Sequence, residues 1–263
     1  MRDQIDLWLA SYDEIADEAL LTAYRSLLDE AERAQEPRFY FARDRQRYLV
    51  TRALVRTVLS RYVPSIRAEE WVFSTNAYGR PQIVNPEAGN LSFNISHTHS
   101  MIALGVTRGR ALGVDVENVV ARQVSIGVAN HFFAPREVAD LAEVPPSRQQ
   151  YRFFEYWTFK ESYIKARGMG LSLPLDKFGF HYPDVDAVEL EIDPALDDDP
   201  ARWQFWQFRP SPEYLVAVCA ERLGAEPVLT VRKTVPMLNE QPMTPEFLRM
   251  SVDAPVELIT MGA

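Results

Sequence analysis

The order in which local patterns follow one another constrains this chain more than any single motif. A helical stretch, a glycine and proline turn and a meander of short β-like runs occur in that order around residues 43–117, and again around 150–220. Two halves that share a pattern but little identity read as an internal duplication. The architecture this suggests is α+β: a pseudo-twofold pair of similar lobes, each a helix packed on a small, mainly antiparallel sheet. The 263 residues suffice for two such lobes, which we place at 1–118 and 119–229. Residues 230–263 form a C-terminal extension whose prolines and weak period predict an appendage or disorder.

Within the first half, Tyr48, Leu49, Ala53, Leu54, Val55, Val58 and Leu59 set a helical period, and arginines 43, 45, 47, 52 and 56 fill the other positions. This predicts a basic outer face, either solvated or suited to an anion, with Asp44 the one acid nearby. Strands are expected at 71–73, 91–95, 101–106 and 111–117. In the second half a short helix over 132–142 precedes a strong one from Gln149 to Arg167, closed by Gly168. Strands follow at 177–182, 187–192, 203–208 and 214–220, and the acidic stretch Asp193 to Pro200 reads as an exposed loop.

Composition removes several classes of function. A formal charge of −9 and a pI near 5.1 argue against nucleic acid as a partner. The longest apolar run, Tyr214 to Ala220, falls far short of the roughly 20 residues of a membrane span. Asp3 and Asp6 interrupt the apolar start that a secretory signal needs, so a cytoplasmic protein is expected. The single cysteine, Cys219, excludes an intramolecular disulfide and reads as a small buried hydrophobe.

Three segments could carry chemistry. In Leu112-Gly113-Val114-Asp115-Val116-Glu117 a strand would point Leu112, Val114 and Val116 to the core, with Asp115 and Glu117 together on the other face. Their Cα atoms would be about 6.5 to 7 Å apart. Such a carboxylate pair suits Mg²⁺, although an outward polar face explains it equally well. In Trp157 to Lys165, Glu161 and Lys165 lie about 40° apart on a helical wheel. Lys160 and Glu161 flank an apolar arc of Phe153, Trp157 and Ile164, which a simple ion pair of spacing four does not explain. In Phe93-Asn94-Ile95-Ser96-His97-Thr98-His99 no third ligand completes a zinc set. Nor does any nucleophile elbow support a serine hydrolase, and donors to a phosphate make better sense.

Together with Tyr78-Gly79-Arg80-Pro81, Phe132-Phe133 with Glu137, and Gly168-Met169-Gly170-Leu171, these segments resemble the 4′-phosphopantetheinyl transferases of the longer, surfactin-synthetase-activating (Sfp) type. The resemblance runs from about Phe39 to Ala220. It implies an enzyme that moves the 4′-phosphopantetheine of coenzyme A, bound between the lobes, onto a serine of an apo acyl or peptidyl carrier protein. The other product would be adenosine 3′,5′-bisphosphate. Mg²⁺, with Mn²⁺ as an alternative, would be held by Asp115, Glu117 and Glu161. The second lobe would thus carry the metal-binding and catalytic helix.

By the same resemblance Glu161 and Lys165 are catalytic, Glu161 matching a proposed general base. Arg80, Pro81, Asn94, Ser96, His97, Lys160 and Lys165 would contact coenzyme A. Arg80 stands where the family commonly has lysine, and keeps the charge. Gln35 stands where a basic residue touches the 3′-phosphate, leaving Arg33, Arg38 or Arg47 as substitutes. The carrier would dock on Arg122, Phe132, Phe133 and Arg136, with core packing the alternative for the two phenylalanines. A monomer is expected. The shorter, trimeric holo-carrier-protein synthases are about half this length, and a decayed, non-catalytic scaffold would have lost the charged residues present here.

Overall fold

A computed structural model describes residues 4–121, 123–224 and 227–251. In chain order the elements are β1 (Gln4–Ser11), α1 (Glu18–Leu27), α2 (Glu30–Gln35), α3 (Ala42–Tyr62), β2 (Phe73–Thr75), β3 (Pro81–Ile83), β4 (Leu91–His97), β5 (Met101–Arg108) and β6 (Leu112–Asn118). They continue with α4 (Ala129–Phe132), α5 (Pro135–Glu143), α6 (Pro146–Arg167), β7 (Phe178–His181), β8 (Ala187–Ile192), β9 (Trp203–Ser211), β10 (Tyr214–Glu221), β11 (Val228–Val235), β12 (Asn239–Met243) and β13 (Phe247–Ser251).

The duplication is visible in strand order. One sheet contains β1-β5-β4 and the other β6-β10-β9, each a run of antiparallel neighbours with the long helix α3 or α6 ahead of its last two strands. Alternation along the strands sorts side chains into layers. Trp8 and Ala10 face α3, whereas Ile5, Leu7 and Leu9 pack with Val114, Val116, Trp206, Phe208 and Val218 between the two sheets. This shared core makes the lobes one body, each large apolar side chain contributing about 1.5 to 3 kcal/mol of transfer free energy. Cys219 is fully buried under α6. Among the described residues no helix is long and apolar enough to cross a membrane.

Three expectations change. First, β6 hydrogen-bonds to β10, so the strand 112–118 belongs to the second sheet, and the repeat starts at β1 and at β6 rather than at the long helices. Secondly, the tail is ordered as strand up to Ser251: β11 pairs parallel with β1 and antiparallel with β12, and β13 lies between β9 and β8, so the extension adds two strands to the first sheet and one to the second. Thirdly, Arg56 is not on an outer basic face. It is fully buried, held by Glu32 (2.7 Å) and by the carbonyl oxygens of Ala68 and Trp71. The loop 193–200 likewise turns one acid inward, because Asp198 accepts from Tyr163, Arg167 and Trp203.

Candidate active site at the junction of the lobes

Helix α6 lies directly on β6 because Gly113 has no side chain. A Cβ there would come 1.9 Å from the carbonyl oxygen of Ser162 and 2.4 Å from the amide nitrogen of Ala166. Two residues further along the same strand face, Asp115 therefore lies under Lys165, Nζ to Oδ1 2.6 Å. Ser96 completes a triangle, its hydroxyl donating to Asp115 Oδ1 (2.9 Å) and accepting from Lys165 Nζ (2.9 Å). Asp115 is 4% exposed, and its other oxygen, Oδ2, is buried without a hydrogen-bond partner.

Glu161 sits one helical turn before Lys165. Burial, and then the charge of Asp115, hold its carboxyl above the ordinary carboxylate range, with Lys165 opposing. Glu117 continues the acidic face of β6 and meets the Thr98 hydroxyl at 3.4 Å. Thus the strand alternation expected for Asp115 and Glu117 is present, and Glu161 and Lys165 come from the facing helix.

What brings β4 of the first lobe to β6 of the second is a ladder of side chains. The amides of Val114, Val116 and Asn118 donate to Asn94 Oδ1 (2.7 Å), Ser96 Oγ (3.3 Å) and Thr98 Oγ1 (3.1 Å). Alternate side chains of one strand satisfy the backbone of the other, as buried amides require. Asn94 and Ser96 are thus joints between the lobes. Thr98 was missed from the sequence, although the polar alternation 94, 96, 98 was the available signal. His97 points away from the ladder; burial and the nearby Arg47 charge lower its pKa, so the ring is neutral near pH 7.

One expected ligand contact is corrected, and a second residue is already engaged within the protein. Lys160 is fully buried, paired with Glu137 (2.8 Å) and donating to the carbonyl oxygens of Leu175 and Phe178, so it has no face toward a cleft. Burial pushes its pKa down and that of Glu137 up. Arg80 does not present a free guanidinium: both terminal nitrogens donate to carbonyl oxygens, of Lys165, Ala166 and Leu112. Pro81 lines a cavity of about 520 Å³ together with Asn76, Arg80, Phe93, Arg167 and Gly168. Of the docking candidates, Phe133 is core, Phe132 is 41% exposed against Trp157, Arg136 pairs with Glu191, and Arg122 lies outside the described residues. Of the substitutes for Gln35, Arg47 pairs with Asp44.

Among the described residues no three acidic, histidine or cysteine side chains converge into a ready metal cluster. The donor set nonetheless suits a hard cation: Asp115 Oδ2 is an orphaned buried acceptor, and the Glu161 carboxyl is raised by burial first and then by the Asp115 charge.

Two family models match the chain. The 4′-phosphopantetheinyl transferase superfamily matches residues 111–219, and 4′-phosphopantetheinyl transferase, N-terminal, matches residues 15–108, so the models meet just ahead of β6. The 4′-phosphopantetheinyl transferase ffp of Bacillus subtilis is 35% identical over 185 residues, 70% of this chain and 78% of the relative. Sfp of Bacillus subtilis (strain 168) is 32% identical over 75% of this chain and 84% of its own. HetI of Nostoc sp. is 28% identical over 86% and 92%. Fold and comparisons together define a two-lobed transferase, and an acidic cluster lies where the two lobes meet. The chain belongs to the 4′-phosphopantetheinyl transferase family, of the Sfp type, and is an enzyme of that kind.

Proposed function

We propose that the protein transfers 4′-phosphopantetheine from coenzyme A to a serine of an apo acyl or peptidyl carrier protein, releasing adenosine 3′,5′-bisphosphate, in a Mg²⁺-dependent reaction. The observation that carries the site is Asp115, buried at the lobe junction with one oxygen on Lys165 and the other unpartnered. In the reaction the serine oxygen bonds to the phosphorus next to pantetheine, and the bond from that phosphorus to the bridging pyrophosphate oxygen breaks. Asp115, Glu117 and Glu161 would hold the Mg²⁺, whose charge offsets that developing on the leaving phosphate.

Glu161 has the raised proton affinity that a base for the serine hydroxyl needs. Coordination would reduce that basicity, so the two roles compete within one carboxylate. Lys165 already bonds Asp115 and Ser96, and can contact phosphate by exchanging one of these partners for a phosphate oxygen. His97, whose pKa is lowered, offers a hydrogen bond rather than a fixed charge. The cavity beside Pro81 gives room for part of the donor. The duplicated chain encloses its own cleft, which supports a monomer.

The test is the intact mass of purified apo carrier proteins of the fatty acid, polyketide and peptide types after incubation with the protein, coenzyme A and Mg²⁺. Gain of one phosphopantetheinyl group, abolished by EDTA, is expected. No gain on any carrier would sink the reading.

A further inference from the structure

Arg80 joins the two lobes at the end of the helix that carries Glu161 and Lys165. Its Nη1 donates to the carbonyl oxygens of Lys165 (2.8 Å) and Ala166 (3.2 Å), and its Nη2 to that of Leu112 (3.0 Å). The first two are among the last carbonyls of α6, of which that of Lys165 also accepts from the Gly168 amide (3.2 Å), and a cation there also meets the negative end of the helix dipole. The turn bearing Arg80 is itself braced. Asn76 Oδ1 accepts from the amides of Tyr78 and Arg80 (2.9 Å each), while Gly79 takes φ +83°. Asn76 Nδ2 reaches across to the carbonyl oxygen of Gly168 (3.0 Å). Gly168 closes α6 at φ +67°, and a Cβ on it would meet Arg80 Nη1 at 3.2 Å.

Leu112 lies three residues before Asp115 on β6, and Lys165 carries the ammonium that meets Asp115. One side chain of the first lobe thus fastens both elements that make the Lys165–Asp115 pair. We propose that Arg80 is a positioning residue that sets the register of α6 on β6, and through it the placement of Lys165 and Glu161 against Asp115, instead of gripping a donor phosphate. The kinetic part of this inference rests on the transfer reaction proposed above.

The test compares wild type with Arg80→Ala and Arg80→Lys. For Arg80→Ala, kcat should fall about 10- to 100-fold, the usual cost of slightly misplaced groups, while KM for coenzyme A stays near wild type. Arg80→Lys should recover only part, because one ammonium cannot span three carbonyls as a guanidinium does. Added guanidinium ion should partly restore Arg80→Ala. Independently of activity, hydrogen exchange of the Gly168 amide, which bonds the carbonyls of Ile164 and Lys165, should quicken in Arg80→Ala. If Arg80→Ala does not fold, Arg80→Lys and Asn76→Ala carry the same comparison. A raised KM with wild-type kcat and unchanged Gly168 exchange would overturn the clamp. Should wild type transfer nothing to any carrier, the transfer reading falls, and the exchange measurement still decides the clamp.

Discussion

Arg56 and Lys160 occupy the same place in two copies of one fold. Arg56 of α3 pairs with Glu32 of α2 and donates to the carbonyl oxygens of Ala68 and Trp71. Lys160 of α6 pairs with Glu137 of α5 and donates to those of Leu175 and Phe178. Each glutamate also accepts an amide at the start of its own short helix, from Asp29 or from Ala134. One residue beyond each cation stand Thr57 and Glu161, and four residues further on Arg61 and Lys165. In the first lobe Arg61 lies over the Trp8 ring and pairs with Glu240 of β12, where the second lobe has Lys165 on Asp115. The scaffold is duplicated, and the acids are found in one copy, while the C-terminal strands cover the equivalent place in the other.

Because the Lys160–Glu137 pair is fully buried, removing one partner strands the other. Lys160→Met should lower stability by about 3 to 5 kcal/mol, and Lys160→Met with Glu137→Leu should regain most of that loss. Urea unfolding of the three proteins checks it. A residue that contacted coenzyme A would instead change KM with little effect on the unfolding midpoint.

Gly113→Ala places a methyl group against the α6 backbone, which cannot move aside as a side chain can. A loss of about 1 to 3 kcal/mol or more is expected, with transfer falling further than stability because Asp115 and Lys165 are pushed apart. Thermal melts and turnover on one preparation would show it. A variant with both unchanged would mean that α6 does not rest on this glycine.

Asp115→Asn keeps the volume and removes the charge that Lys165 meets and Glu161 feels. Transfer should drop by about 100-fold or more, on the scale of losing one oriented electrostatic group, with the fold retained. Carrier mass after timed incubation, beside a circular dichroism spectrum, tests both halves. Near-normal turnover would remove Asp115 from the site.

The parts of this site that could be read in the sequence are those set by local period. Asp115 and Glu117 share a strand face, and Glu161 and Lys165 share a helix face, whatever the rest of the chain does. Lys160 stood on the edge of the apolar arc, but its burial depends on Glu137, 23 residues earlier, and on two carbonyls well downstream. Arg80 read as a phosphate ligand because nothing local shows that α6 ends beside it. The ladder from Asn94, Ser96 and Thr98 exists only because two sheets meet. Strand β12 is mostly exposed, so its residues carry no apolar alternation to announce a strand.

Asp6 ties this unannounced tail to the first strand, and predicts how acid affects it. It accepts from Thr230, from Arg232 (2.8 Å) and from Tyr62 (2.7 Å). Burial alone would raise its pKa, but the three hydrogen bonds and the Arg232 charge bring it below the ordinary 3.8. A carboxylate lowered by folding contributes stability that is complete above its unfolded pKa and disappears as pH falls through the lower, folded value. Wild type should therefore lose this contribution only below about pH 4. Asp6→Asn should be less stable by about 1 to 3 kcal/mol at pH 7, the cost of weakening a buried hydrogen-bonded group. Urea unfolding followed by tryptophan fluorescence is suitable, since Trp8 bonds Tyr62 and lies against Arg232. The gap between the two proteins should narrow as pH is lowered through the folded pKa. A gap that stays constant across that range would show that the Asp6 charge does not hold β11 to β1.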